Sequence, residues 1–344
     1  MPARPLLLDR RAVLRAGLFG AAGLAGTSLL AACGGSPGPS GSGPALAARV
    51  EDTQAGTAGA VIRPISEQNN LVGTLDLTYV AGTGPGDVQN KLLSGALDVA
   101  SMGPLGAVVA AEAGADVVLF STSLNNHVRW LVPENSPYRT PADLRGKKVA
   151  TPPNNSDAFR STQLAAAVNG GDLNADYQLF PGAVLAGLAL FDRGDVDAIV
   201  TIEPNATRLV GKGARQIATV GELWAQGTGE DPNALFLNGQ GATRAWVDGN
   251  RETAAALATL RLKAHEIIQQ RPQVLAELSD AYGIPAGEKA AIDLLPSRMK
   301  DVYPVAWGES VFANLRRQTE VAQQVGLIEA QPAQAPWVDL GAPA

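Results

Sequence analysis

The sequence predicts an α/β fold of two lobes, each a mainly parallel sheet flanked by helices. Three observations lead there. Leu93–Pro104 reads as a helix end, a short buried strand, a tight loop and a new helix. Gly95 can take the left-handed conformation that closes a helix, Leu97–Ser101 is strand-like, and Pro104 suits a first helical turn. Asp192–Pro204 repeats the pattern, with Gly and Asp again three apart and a closing Pro. The stretch from Cys33 to Ala344 is also longer than one hydrophobic core usually serves, which favours two lobes.

The amino terminus reads as an address rather than as fold. Arg4, Arg10, Arg11 and Arg15 precede the apolar Ala16–Leu30, which is short for a membrane span. Asp9–Arg15 resembles a twin-arginine export signal, and Leu30-Ala31-Ala32-Cys33-Gly34 resembles a lipoprotein box with Cys33 as the lipidated residue. Residues 1–33 are therefore expected to be a signal peptide, and the Gly/Ser/Pro-rich residues 34–44 a flexible tether. The expected product is an exported, lipid-anchored protein on the outer face of the cytoplasmic membrane. Gly34-Gly35-Ser36-Pro37-Gly38 matches a hydrolase elbow in letters only, since no strand precedes it and no helix follows.

Composition removes several classes. A chain with 46% hydrophobic and 17% charged residues is globular rather than disordered. A net charge of −6, more negative without the signal arginines, and no basic run argue against nucleic acid. Cys33 is the only cysteine, and the two histidines, His127 and His265, are far apart. That leaves little for a thiol nucleophile, a zinc site or a Ser-His-Asp triad, so no enzyme, no metal and no cofactor are expected, and the histidines are expected to be partly exposed and without a role.

In order, strands are expected at Ala45–Asp52, Leu75–Val80, Leu97–Ser101, Val117–Phe120 and Arg129–Pro133, with helices at Val88–Ser94 and Leu105–Ala113. Between them lie polar or Gly-rich loops: Thr53–Thr57, Gly82–Asp87, Met102-Gly103 and Ser121–Asn126. A Pro-rich change of character at Pro133–Pro141 leads to strands at Val149, Tyr177–Phe180, Ile199–Thr201 and Gln216–Val220, with helices Ala158–Asn169 and Pro181–Phe191. Asn233–Asn238 reads as a strand returning to the first lobe. Arg251–Arg271, Gln273–Tyr282, Ala286–Leu295 and Glu309–Val325 are helical and expected only to pack. The expected division is residues 45–133 for lobe one, 134–232 for lobe two and 233–344 for the return to lobe one.

Leu131–Pro137 followed by Pro141–Ala150, the run Gly95–Val99 through Gly103-Pro104 and Gly114–Asp116, and Gly194–Ala198 with Glu203-Pro204 are together similar to the aliphatic-sulfonate, taurine and nitrate-binding proteins of ABC importers. The resemblance covers most of Ala45–Leu327. It implies a type II periplasmic binding fold, a small-molecule solute, an ABC permease as partner and a monomer. The family also includes thiamine-precursor pyrimidine binders, so an amine-bearing or aromatic solute is the alternative. A related pyrimidine synthase would need a cysteine-rich segment that this chain lacks. Many relatives carry a Trp two residues before the second Pro, whereas Ile202 and Glu203 stand before Pro204 here.

Ligand-binding residues are expected at Gln54, Gly56, Thr57, Gly82, Thr83, Met102, Gly103, Ser121 and Thr122 in lobe one, and at Asn154, Asn155, Ser156 and Glu203 in lobe two. No arginine falls in these loops. An anion would then be held by backbone N–H groups at helix amino termini, each worth about 0.3–1 kcal/mol. Glu203 suits an amine-bearing ligand, or else caps its own helix. Asp98 and Asp197 sit at strand starts and are expected to be structural.

Overall fold

The computed structural model describes residues 46–82 and 84–341. The expected signal peptide, the lipidation at Cys33, the tether and Thr83 lie outside the described residues.

Lobe one begins with β1 (Leu46–Asp52), a short 3-10 turn over Ala58–Val61, α1 (Ile62–Gln68), β2 (Leu75–Ala81), α2 (Pro85–Leu93), β3 (Ala100–Met102), α3 (Pro104–Glu112) and β4 (Val117–Asn125). The chain then crosses to β5 (Val128–Val132), β6 (Lys148–Thr151), α4 (Asp157–Val168), α5 (Leu173–Asp176), β7 (Gln178–Pro181), α6 (Val184–Asp192), β8 (Ala198–Ile202), α7 (Asn205–Gly211), β9 (Arg215–Thr219) and α8 (Val220–Thr228). It returns through β10 (Phe236–Thr243), followed by α9 (Arg244–Gly249), α10 (Arg251–Gln270), α11 (Val274–Glu277), α12 (Lys289–Met299) and α13 (Glu309–Gln324).

β1 and β2 pair in parallel, an isolated Val50–Val99 bridge joins them to the β3 segment, and β10 lies antiparallel between β3 and β4. The second sheet runs β7-β6-β8-β5-β9, parallel around β6 and antiparallel at β5. The antiparallel members, β5 and β10, are the strands that carry the chain between lobes and enter each sheet from the far side. The two crossings lie side by side: Asn126 N–H donates to Leu235 O at 3.2 Å. The side-chain amide of Gln318 on α13 bonds both Phe236 N and Phe236 O at 3.2 Å, which fixes the return crossing.

The repeated sequence device proves architectural. Gly95 and Gly194 both close their helices at positive φ, +73° and +74°. Three residues on, Asp98 accepts the Arg49 N–H at 2.7 Å and Asp197 accepts the Lys148 N–H at 3.0 Å, so each carboxylate pins the start of a neighbouring strand.

Three expectations need correction. β4 runs on to Asn125 rather than stopping at Phe120, because Ser121–Asn125 pair along β10; the ladder outweighs the polar side chains. β5, expected to close the first lobe's run of strands, pairs with β8 and β9 in the second sheet. The helix expected over Gln273–Tyr282 shrinks to Val274–Glu277.

Candidate functional site

The β1–α1 segment organises the region where the lobes meet. Gly56 has φ +83°, a conformation that favours glycine, and its N–H donates to Tyr282 O at 2.9 Å. Its carbonyl accepts from Asn205 Nδ2 at 2.6 Å, a direct bond from α7 of lobe two to lobe one. Behind the loop, the Tyr282 hydroxyl donates to the Tyr303 hydroxyl at 2.6 Å, which in turn donates to Ala58 O at 2.8 Å. Both tyrosines are buried, so the relay is shielded from water and burial holds both phenols protonated.

A second meeting point involves Gly103. A Cβ there would lie 2.5 Å from Asp157 Oδ1 and 2.7 Å from Leu237 O, and one at Gly106 would lie 3.1 Å from Asp157 Oδ1. Glycine at both places lets the start of α4 sit directly on the start of α3. Burial pushes the Asp157 carboxyl up to about 6, while Arg160 and the Gly103 N–H pull it down and nearby Glu51 adds to the rise. Arg160 is 3.6 Å away, and Asp157 Oδ1 has no hydrogen-bond partner among the described residues.

The Glu203 carboxylate is fully buried and already engaged. It accepts from Thr207 N at 2.8 Å and Thr207 Oγ1 at 2.6 Å, closing the first turn of α7, and from Arg298 on α12 at 3.0 Å; Arg129 approaches to 3.7 Å. The helix-capping alternative describes this geometry. The expectation that Glu203 offers a free carboxylate to an amine is corrected, because two arginines and a helix terminus use its oxygens.

Beside the meeting points, within lobe one, a cavity of about 140 Å³ lies at the carboxyl end of β1, between the middle of β2 and helices α1 and α10. This is where open α/β sheets receive ligands. Its polar lining includes Glu51, Tyr79, Ser101, Gln240 and Arg261. Glu51 Oε2 accepts the Ser101 N–H at 2.8 Å. Gln240, opposite Ser101 in register and only 5% exposed, has Oε1 unpartnered among the described residues. Arg261 of α10 forms neither a hydrogen bond nor an ion pair with any described residue, and its Nε is buried. Burial pushes its guanidinium below the ordinary value, against the pull of Glu51, Tyr79 and Tyr303. The Tyr79 ring carries Arg63 at 4.0 Å, so one of its faces is covered.

The expected residues divide accordingly. Gly56 and Gly103 stand where the lobes touch. Thr57 starts the 3-10 turn with its hydroxyl on Gln54 O at 2.7 Å, and the Gln54 side chain is exposed. Gly82 is buried beside Val88. Met102 points into the lobe-one core, 1% exposed, with only its backbone toward Gly103. Ser121 and Thr122 are strand residues rather than loop residues, fully buried, with hydroxyls that have no hydrogen-bond partner among the described residues. Ser156 caps α4, accepting from Phe159 N at 3.2 Å and donating to Pro153 O at 2.7 Å, while Asn154 and Asn155 are exposed. Sequence reading missed Glu51, Asp157, Gln240, Arg261 and Arg298. The two charged helical residues among the last three sit in runs whose periodicity signals only packing.

The histidines are not partly exposed. His127 is 1% and His265 0% exposed, each with Nδ1 on a backbone carbonyl, Asn125 at 2.8 Å and Pro304 at 2.6 Å. Burial lowers them to about 4 and about 3, so both are neutral near pH 7. Among the described residues no group of three or more His, Cys, Asp or Glu is arranged to hold a metal ion, and no helix is long and apolar enough to cross a membrane.

A family model described as NMT1/THI5 like matches residues 73–273. No curated protein matches the sequence. Among solved structures, the alkanesulfonate-binding protein SsuA from Xanthomonas axonopodis pv. citri, bound to MOPS, aligns with TM-score 0.68 at 19% identity, covering 87% of this chain and 99% of that one. The periplasmic aliphatic sulphonate-binding protein SsuA from Escherichia coli aligns with TM-score 0.61 at 22% identity, covering 83% and 94%. The desulfurization enzyme DSZB aligns with TM-score 0.56 at 13% identity, covering 83% and 94%. At such identities the likeness concerns the fold, the two-lobed type II periplasmic binding fold.

Proposed function

Because the chain belongs to the NMT1/THI5-like family, we propose that it is an extracytoplasmic solute-binding protein of an ABC importer, which closes two lobes on a small sulfonate-, taurine- or nitrate-like solute and delivers it to a permease. The observation that carries this reading is the cavity at the carboxyl end of β1, with Glu51, Gln240 and Arg261 in its lining, next to the Gly56–Asn205 and Gly103–Asp157 contacts between lobes. Arg261 Nε and Gln240 Oε1 are buried without a hydrogen-bond partner among the described residues, which is costly, and a ligand that completes them recovers that cost. At about 30 Å³ per water molecule, the cavity holds a handful of waters, or a solute of comparable size.

The proposal includes a lipid anchor at Cys33 and a monomeric protein at the outer face of the cytoplasmic membrane. A thiamine-precursor pyrimidine is the weaker alternative, because Arg63 already covers one face of the aromatic ring that lines the cavity. The test is thermal denaturation of the full chain against sulfonates, taurine, nitrate and pyrimidines. A solute present at 100 times its Kd adds about 2.7 kcal/mol of stability, a shift of a few degrees. One class should stabilise; a cooperatively folded protein that no solute stabilises contradicts the proposal.

A further inference from the structure

The lobe-one cavity carries charge of both signs at separate places. Arg261 supplies a guanidinium with no hydrogen bond or ion pair among the described residues. Glu51 uses one carboxylate oxygen on Ser101 N–H and likewise has no ion pair among the described residues. The two are close enough to feel each other's charge but stand further apart than a salt bridge. Both line the same cavity.

Lobe two contributes to the negative end. Asp157 arrives at Gly103 with its Oδ1 unpartnered, and Glu51 is among the charges that act on it. Two carboxylates approaching across a closing interface repel each other, and Arg160, at 3.6 Å from Asp157, is the one cation among the described residues paired with either. A simple anion would satisfy Arg261 and leave that repulsion in place. A simple cation would relieve the repulsion and leave Arg261 bare.

Resting on the solute-receptor reading above, we infer that the ligand is a short zwitterion, its anionic head on Arg261 and its protonated amine on Glu51. Arg261 offers planar, paired N–H groups suited to a sulfonate or carboxylate. Asp157 does not line the cavity, but Glu51 is among the charges that act on it. Lobe closure then brings a second carboxylate toward the same positive charge, so the amine favours the closed form more than the anion alone does. A sulfonate and a carboxylate head share this chemistry.

The experiment is calorimetric titration of the full chain with taurine, β-alanine, ethanesulfonate and ethanolamine. One or both zwitterions should bind roughly tenfold or more tightly than either single-charge analogue; taurine against β-alanine tells sulfonate from carboxylate. Arg261→Gln should lose at least about tenfold for the zwitterion, with cooperative melting as the check on folding, and Arg261→Lys replaces it if the Gln variant does not fold. Glu51→Gln should shrink the gap between the preferred zwitterion and ethanesulfonate to within about threefold. Ethanesulfonate binding as tightly as the zwitterions, or a gap that survives Glu51→Gln, overturns the inference. If nitrate or a pyrimidine stabilises the protein while neither zwitterion binds, the zwitterion fails and the receptor reading stands. If no solute of any class binds, the receptor reading itself fails.

Discussion

Arg298, near the end of α12, donates to the carboxylate of Glu203 at 3.0 Å, across 95 residues of sequence, and Glu203 is completely buried. The same guanidinium also reaches Thr207 Oγ1 at 2.9 Å and Gln216 Oε1 at 2.7 Å. With the Arg208–Glu288 pair at 2.6 Å, it fastens the C-terminal helices to lobe two while Leu295 and Met299 pack in the lobe-one core. One helix thus joins both lobes behind the site.

Removing Arg298 leaves Glu203 with Arg129, at 3.7 Å, as its remaining ion-pair partner among the described residues. Arg298→Met should destabilise the fold by about 3–5 kcal/mol, the usual result of stranding a buried charge. Glu203→Gln together with Arg298→Met should recover part of that loss, because the stranded charge is then absent. Urea denaturation of the single and double variants checks this; strictly additive losses would contradict it.

Gly103→Ala places a methyl group 2.5 Å from Asp157 Oδ1 and 2.7 Å from the Leu237 carbonyl. The first contact crosses between lobes, so the expected effect is a weaker closed state, with solute affinity down by roughly tenfold or more. Affinity unchanged, measured with the solute selected by thermal denaturation, would show that the lobes need not approach here.

Asp157 makes stability fall as pH rises. Its folded value near 6 lies above the ordinary 3.8, so the folded protein holds this proton more tightly. Its contribution is complete below about pH 4 and lost as pH climbs through 6, up to about 3 kcal/mol in all. Asp157→Asn should therefore gain on the parent between pH 4 and pH 7 in denaturant titrations. A difference that stays constant across that range contradicts the account.

The histidines act in the opposite sense. Burial is the main cause of depression for both, reinforced by Arg129 at His127 and by Arg261 at His265, and opposed by the carbonyls of Asn125 and Pro304. Their stabilising contribution is complete above pH 6.5 and declines as pH falls toward 4, where the unfolded chain takes up protons that the folded chain refuses. His127→Gln should flatten the acid limb of the stability curve by about one proton, or about 1.4 kcal/mol per pH unit. His127 stands beside the crossing at Asn126, so the test also reads that segment.

The spacing of Gly95 and Asp98, repeated in Gly194 and Asp197, made the architecture legible, because each pair is a local device whose partner strand is set by the fold. The loop at Gly103 was legible for the same reason. Side-chain direction was not: Met102 belongs to a three-residue strand, and only the packing decides that it faces the core. Ser121 and Thr122 read as a loop because hydroxyls suit loops as well as strands, and the pairing with β10 comes from far along the chain. Arg261 and Arg298 lie on helices whose periodicity reports burial alone. Their charges matter through what the tertiary structure brings to them, Glu51 for one and Glu203 for the other.

The most direct test of a solute held between the lobes is amide hydrogen exchange of the full chain with and without the stabilising solute. Exchange should slow together at Thr53–Thr57 and Ser101–Gly103 in lobe one and at Asn155–Asp157 in lobe two, because one ligand fastens segments from both. Protection confined to a single lobe, or absent from all three segments at saturating solute, would contradict the account.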